Sequence, residues 1–486
     1  MKLSNSLQEN IEALKSTFKE DQSLSIREFS VGGINNVECA AVFLAGMVDM
    51  GRINSEIISP LLNIKAEVIN SDILITSILK NAISAPQVET TGDYETVVSF
   101  LLDGNTLVFI DEHEKALYIN TLKLNRRENN EPDTEKVVRG PREGFNESLF
   151  NNISLIRARI KSESFKLHFR VIGRITKTKI CVCYLQDVAS LEIVEEVERR
   201  LDRIDIDGIL DSGYIQELVA DEGYSPFLTV GYTERPDVVA GKILNGKIAI
   251  VCDGSPFVLT LPFVFSEYFH INENYYSNFY YSTFNRILSF LGFFITTSLP
   301  AIYCALVTFH QELLPTPLIL SISAARQGIP LPTIAEMILI LFVFEVLREA
   351  SVRIPAVIGP TISIVGALII GQAAVEAKLI SAPIIIIAAA SGITSFLVPK
   401  MEQGIVMSRL AFLLASAFMG LYGYIFCVVA LFIHLCSIRS FGIPYMLYIS
   451  SINVQDQKNT LIRAPWWLMK RRPRIQADKN PDRQRS

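Results

Sequence analysis

From Ile287 to Phe309 the chain carries no formally charged residue. At about 1.5 Å of rise per residue, a helix of that length crosses an apolar layer roughly 30 Å thick. Three more uncharged runs follow, Val357 to Val375, Leu379 to Pro399 and Leu410 to Cys436, and each is long enough to do the same. The pattern predicts an all-α transmembrane domain over 286–437, with spans at about 287–309, 357–375, 379–399 and 410–436. Between the first two lies 318–348, whose apolar stretch Ile338 to Phe344 is short and flanked by Glu336 and Glu345, so a re-entrant or interfacial hairpin is expected there. Pro300 falls in the middle of the first run. It removes one backbone N–H and frees the carbonyl one turn earlier, which neighbouring protein then has to satisfy.

The rest of the chain is a different material. Charges are dense up to about Arg286, and 486 residues exceed what one core accommodates, so a separate water-facing region is expected ahead of the spans. The first residues carry Glu9, Glu12, Glu20 and Asp21 and no basic stretch followed by an apolar one, so no exporting leader is predicted and this region is expected in the cytosol. The sequons at Asn146 and Asn152 are then accidental. After Ile462 the tail holds Arg463, Lys470, Arg471, Arg472, Arg474, Lys479, Arg483 and Arg485 against Asp478 and Asp482, which places the tail, 438–486, in the cytosol as well. Trp466 and Trp467 suit the headgroup layer. Both ends inside require an even number of crossings. A net charge of −5 offers no basic field for a phosphate backbone, so nucleic acid is not an expected partner. Seven cysteines without a CxxC pair read as reduced, buried thiols.

Within the soluble region one pattern recurs. Leu102-Asp103-Gly104, a strand around Val108, and Asp111 reappear as Leu244-Asn245-Gly246, a strand around Ile250, and Asp253, at a constant offset of 142 residues. Two related α/β subdomains are therefore expected, at 35–121 and 167–285, preceded by a helical segment 1–34 and joined by a connecting arm 122–166; chance recurrence of a helix–turn–strand unit is the competing explanation. The fold class is a multidomain membrane protein, a cytosolic α/β region of two subdomains followed by transmembrane helices. The arm's Arg139, Arg142, Glu143 and Arg157 are candidate partner contacts, although a charged stretch also serves as an ordinary solvated face.

Enzymatic motifs do not form. Gly241 to Ile248 approximates a phosphate-binding loop, but Ile248 stands where Ser or Thr is needed, and the order is helix then strand. His310-Gln311-Glu312 lacks the second histidine of a zinc helix, and no G-x-S-x-G turn occurs, so no catalytic residue, cofactor or metal is expected. Charges beside apolar segments are the better lead, because an ion in hydrocarbon faces protein or water. Glu345, Arg348 and Glu349 share one helix face at i, i+3 and i+4, which suits either mutual pairing or gating. Small residues including Gly366 and Gly371, with Gln372 and Glu376, make 357–375 the candidate pore-lining helix, while plain close packing accounts for the same residues.

Several ordered stretches resemble a known family. Thr134 to Glu147 (TEKVVRGPREGFNE), Asp211 to Glu217, Thr233-Glu234-Arg235-Pro236-Asp237, Asp253-Gly254-Ser255-Pro256-Phe257, Phe344 to Ala350, Ile370 to Glu376 and Phe441 to Tyr445 are similar to the A subunits of GerA-type spore germination receptors. Leu228 and Ser351 depart from residues common in that family. The resemblance implies a subunit of the spore inner membrane, oligomeric, assembled with a B-type integral membrane subunit and a C-type lipoprotein, and forming or gating an ion path during germination. A non-conducting scaffold, or a paralogue that amplifies germination without sensing nutrients, would share these motifs.

Overall fold

The computed structural model describes residues 2–31, 37–63, 88–122, 131–132, 134–353, 371–450, 458–472, 480 and 482–483. The N-terminal half holds two five-stranded antiparallel sheets of one design. In the first, β1 (Leu24–Val31), β2 (Val37–Leu44), β3 (Val88–Thr91), β4 (Asn105–Ile110) and β5 (Ala116–Asn120) lie in the order β1-β2-β4-β5-β3. In the second, β6 (Phe165–Ile172), β7 (Thr178–Leu185), β8 (Gly231–Thr233), β9 (Ile248–Cys252) and β10 (Val258–Leu261) lie in the order β6-β7-β9-β10-β8.

Successive side chains in a strand point to opposite faces, and here both faces are covered, so the central strands are apolar throughout. On one face of the first sheet Ala40, Val42 and Leu107 meet α1 (Leu7–Thr17) and α3 (Tyr94–Leu102); on the other Cys39, Phe43 and Val108 meet α2 (50–62). The second sheet repeats this. Cys181, Cys183 and Leu185 face α4 (Leu149–Arg157) and α7 (Pro236–Ile243), while Ile180, Val182 and Tyr184 face α5 (Leu191–Asp202) and α6 (Ser212–Val219).

The repeat reaches further than the turn that reveals it. Asp111 accepts the Leu7 N–H at the start of α1 at 2.9 Å, and Asp253 accepts the Leu149 N–H at the start of α4 at 3.1 Å. A carboxylate there satisfies an orphan donor and complements the helix dipole. Asn10 and Asn152, again 142 residues apart, each pin the loop before their helix, to Ser4 and to Asn146. The first unit thus reaches back beyond the expected start at 35 to include α1 and β1, and the second takes α4 from the expected arm 122–166.

The units meet across a buried ion pair, Arg157 to Asp21 at 2.6 Å, with the guanidinium lying 5.2 Å from the Phe165 ring centroid. The Gln22 N–H also donates to the Leu167 carbonyl at 3.1 Å and its side chain accepts from Phe169 N–H at 2.8 Å, so the loop between α1 and β1 caps the second sheet.

The helical region follows. α8 (Phe279–Thr308) keeps Pro300 inside it, and the carbonyl that proline frees, on Thr296, accepts the Ser391 hydroxyl at 2.9 Å. α9 (Thr316–Arg326) and α10 (Thr333–Arg353) occupy the expected short hairpin, and α10 is long, with 21 residues. α11 (Ala382–Ser395) lies in the third uncharged run, and most of the second run lies outside the described residues. The fourth run is not one straight rod. α12 (Glu402–Ser437) reverses at Gly420, whose φ of 59° and ψ of −139° suit only glycine. A Cβ on Gly423 would sit 2.1 Å from the Ala415 carbonyl oxygen. The Phe412 and Tyr424 rings are 5.6 Å apart, where a straight helix would separate them by about 18 Å. α12 is therefore a hairpin of limbs 402–419 and 421–437. Its outer surface is apolar and open, with Phe418 at 81% and Phe426 and Tyr422 at 66% exposure. Beyond it the chain returns to the second unit, where Phe441 and Ile443 join the core beneath α5 and α6.

Removing one partner of the buried pair should leave the other charge uncompensated. Arg157→Ala or Asp21→Ala is expected to destabilise the fold by about 3 kcal/mol or more. Thermal unfolding checks this, and the double variant should lose less than the sum of the two single changes.

Candidate functional site

Charge inside the helical region is organised as a chain of pairs. Arg348 on α10 bonds Glu345 one turn back and reaches Glu402, at the start of α12, at 2.6 Å. Glu345 bonds Arg409 on the first limb of α12, and Arg409 lies 3.4 Å from the Ser391 hydroxyl on α11. Four charges from two helices thereby neutralise one another, which is the condition for ions among apolar helices. Toward the opposite end, Glu336 is fully buried, accepts the Ser381 N–H at the start of α11 at 2.8 Å, and lies 3.5 Å from Arg326.

The end of this chain touches the second α/β unit. Between α11 and α12 the elbow residue Lys400 bonds Glu135 and donates to the Tyr232 carbonyl at 3.3 Å. Glu135 is held from behind by the Thr233 hydroxyl and the Glu234 N–H. Burial pushes its carboxyl up, but the Lys400 ammonium and these donors outweigh burial and hold it below the ordinary carboxylate value. Both limbs of α12 meet the segment 225–229: Ser225 bonds His434 at 3.0 Å, and Phe227 packs where Gly404 leaves no room for a Cβ.

A second polar cluster closes the junction. Glu267 binds both Lys247 and Lys242; burial would raise its carboxyl, and the two ammonium groups with the Val264 N–H instead lower it to about 2. His270 lies beside it with Nε2 3.2 Å from the Thr460 carbonyl, and burial, reinforced by the Arg286 charge, lowers its pKa to about 3. Arg286, fully buried on α8, donates to the Asn459 carbonyl at 2.9 Å. Sequence reading passed over Arg409, Glu135 and Lys400. Arg409 stands immediately before the run Leu410 to Cys436 and was recoverable as the counter-ion that Glu345 requires.

The expected site residues are dispersed. Glu345 and Arg348 belong to the charge chain, and Glu349 is exposed on the same helix. Gly366 lies outside the described residues, while Gln372 and Glu376 are exposed and a Cβ at Gly371 would meet nothing within 4 Å. Of the arm residues, Arg139 and Arg142 are exposed, with Arg142 3.8 Å from Glu131; Glu143 bonds Arg159 at 2.5 Å. Arg157 is only 1% exposed and is spent within the chain on Asp21.

The model of the family described as Bacillus/Clostridium GerA spore germination protein matches residues 12–475. The chain belongs to the GerA family. This GerA protein is 42% identical over 473 residues to spore germination protein KA of Bacillus subtilis (strain 168), covering 97% of this chain and 87% of that one. It is 39% identical over 474 residues to the uncharacterized membrane protein YfkQ of the same organism, covering 97% and 91%. It is 34% identical to spore germination protein GerLA of Bacillus cereus over 475 residues, covering 97% and 96%. Among solved structures it is similar to the N-terminal domain of the A subunit of the Bacillus megaterium spore germinant receptor GerK3, with TM-score 0.42 and 31% identity, covering 55% of this chain and 98% of that one.

His270 gives the fold an acid dependence of known sign. Its unfolded value of 6.5 lies above the folded value of about 3, so the unfolded chain takes up the proton first as pH falls. Stability should decline from pH 6.5 downward, and His270→Gln should flatten the decline between pH 6.5 and 4.5, measured as the midpoint of thermal unfolding against pH.

Proposed function

We propose that this GerA protein is the A-type membrane subunit of a spore germinant receptor, oligomeric, and that it forms or gates a path for ions when the receptor is engaged. The observation that carries the reading is the run of paired charges Glu402–Arg348–Glu345–Arg409, whose near end is tied through Lys400 to Glu135 of the soluble region. Ions held this way among apolar helices are expensive to keep and serve as a bistable lock: a shift of the second α/β unit moves Lys400, the elbow moves the first limb of α12, and Arg409 exchanges partners.

Membrane residence is supported by two stretches long and apolar enough to cross, Phe279–Thr308 and Pro399–Ser437, by the open apolar face of α12, and by the similarity to the membrane protein YfkQ. In this reading α8, α10, α11 and both limbs of α12 each cross once. Arg348 lies at the near end with Glu402, whereas Lys378 approaches Gly328 at the far end. The α/β units and basic tail stay together on the cytosolic side of the spore inner membrane. The apolar face of α12 meets lipid or a neighbouring copy, and the exposed Arg139 and Arg142, with Glu143, are offered to the B-type membrane subunit and the C-type lipoprotein. Gln372 and Glu376, on an exposed face of the segment after 370, line the ion path with Gly371. No catalytic chemistry is assigned to the chain.

Reconstituted full-length protein should carry cation current in single-channel recordings, and Gln372→Leu or Glu376→Ala should reduce it severalfold without altering oligomer mass. Absence of current from a correctly sized oligomer would instead favour the scaffold role. A tag at the amino end that is accessible from outside intact cells would overturn the proposed orientation.

A further inference from the structure

A cavity of about 750 Å³ lies where the second α/β unit, the segment 134–137, the elbow at Lys400 and the tail converge. Eight lysines and arginines line it against four carboxylates. Its inner wall is nearly balanced: Arg235 pairs with Asp237 at 2.9 Å, Lys242 and Lys247 share Glu267, and Lys400 takes Glu135. The surplus charge belongs to the outer part, where the tail contributes Lys458 and Arg483, the latter 5.5 Å from the Trp466 ring centroid.

Polar atoms in the inner wall are left over. Arg235 is 1% exposed, yet its Nε–H has no acceptor; Ser266 Oγ, on a residue 4% exposed, and Asp237 Oδ1, on a side chain 6% exposed, also lack partners. An unmet buried group of this kind is costly to keep. A ligand that suits all three carries an acceptor for the guanidinium and the hydroxyl and a donor for the carboxylate. Water supplies both roles but brings no charge to the cationic surplus. An anionic phosphate bearing a hydroxylated substituent supplies both and the charge.

The walls indicate where that phosphate comes from. Phe396, at the end of α11, lines the cavity and is 68% exposed, and Trp466 lines it at 42% exposure. The Trp467 ring lies 5.9 Å from Phe279 in the first turn of α8, beside the open Tyr280 and Phe284. This aromatic collar sits at the boundary between the charged unit and the apolar helices, where bilayer headgroups lie. Resting on the membrane reading above, we propose that the junction cavity receives the phosphate headgroup of an acidic phospholipid, with its hydroxyl on Asp237, its phosphate toward Arg235, Ser266 and the tail cations, and its acyl part leaving past Phe396. The occupied cavity braces the elbow at Lys400, so lipid composition tunes the coupling of the soluble region to the helices.

The test uses full-length protein in nanodiscs of equal phosphatidylglycerol and phosphatidylcholine, with retained lipid counted by native mass spectrometry. Phosphatidylglycerol should be retained preferentially. Arg483→Gln and Lys458→Gln should each weaken the preference about fivefold, the contribution of one cation near an anionic surface. Arg483→Lys should keep it, as should Lys15→Gln, which changes an exposed charge on α1. Ser266→Ala should weaken it with no change of net charge. Equal retention of both lipids by embedded protein would overturn the site and leave the membrane reading standing. Protein that stays dispersed in detergent-free buffer and never enters the discs would overturn the membrane reading itself. Saturable stabilisation by free glycerol 3-phosphate, without lipid preference, would overturn the lipid as the source.

Discussion

Everything at the centre of this molecule depends on keeping a few ions paired where water is scarce. Lys400 is the clearest instance. Its ammonium stands at the elbow between α11 and α12, and its carboxylate partner, Glu135, lies on a segment that the second α/β unit holds through Thr233 and Glu234. The ammonium is only half-buried, and the fixed anion that meets it makes the pair transmit position as well as charge. Around it the contacts are ordinary packing: Phe227 against Gly404, Ser440 bonding the Thr229 carbonyl at 2.7 Å, and the Tyr445 hydroxyl donating to the Leu228 carbonyl at 2.8 Å. One short segment, 225–229, grips the start of the hairpin, its end, and the chain beyond it. Motion of the second unit cannot leave the hairpin behind.

The hairpin explains why charge pairing recurs higher up. Folding α12 back at Gly420 puts Arg409 on an inner limb facing α10, and the same fold brings Phe309 and His310, after the end of α8, against Gly420 itself. A glycine at the reversal permits the left-handed backbone, and a second at 423 lets the limbs touch, so two residues without side chains decide which face Arg409 presents. Glu345 then pairs with it, and Arg348 links Glu345 to Glu402. Replacing such a chain with apolar residues is often neutral for stability, so strength alone is not a physical reason to have it.

Much of this was legible in the sequence, and the failures have definite causes. The offset of 142 residues announced the duplication because a turn glycine, a strand and an aspartate are all local features. It did not announce that α1 and α4 belong to the repeat, because what fixes those helices is an aspartate 104 residues downstream in each copy, a non-local contact. Pro300 forecast a freed carbonyl correctly, and Ser391 supplies its partner. Counting uncharged residues did not reveal α10 as one helix of 21 residues, since Glu336, Glu345 and Arg348 interrupt its apolar run and are each met by a partner from elsewhere in the fold. The same rule read 410–436 as a single span because Gly420 carries no charge to mark a reversal. Arg157 looked like a surface cation until Asp21 arrived from the far side of the first unit.

The two copies differ, position by position, in ways that fit the second to dock on the helices. At matched positions the second unit has Lys242 bonding Thr260 at 2.9 Å, and the first has Phe100 stacked on Tyr118 with ring centroids 3.8 Å apart. Where the second has Lys247, which reaches Glu267 and the Pro262 carbonyl, the first has Asn105, which turns back to the Phe100 carbonyl. Where the second has Arg235 in the inner wall of the junction cavity, the first has Asp93, spent on capping its own helix through the Thr96 N–H. In each case the first copy satisfies its polar groups close by, and the second carries a long cation held by Glu267, Asp237 or the carbonyls of Glu135 and Pro141, on the side that faces the junction cavity. Two units of one design thus differ along one edge, where the first has short, self-contained side chains and the second has long charged ones. That edge is where the tail, the elbow and the apolar helices converge.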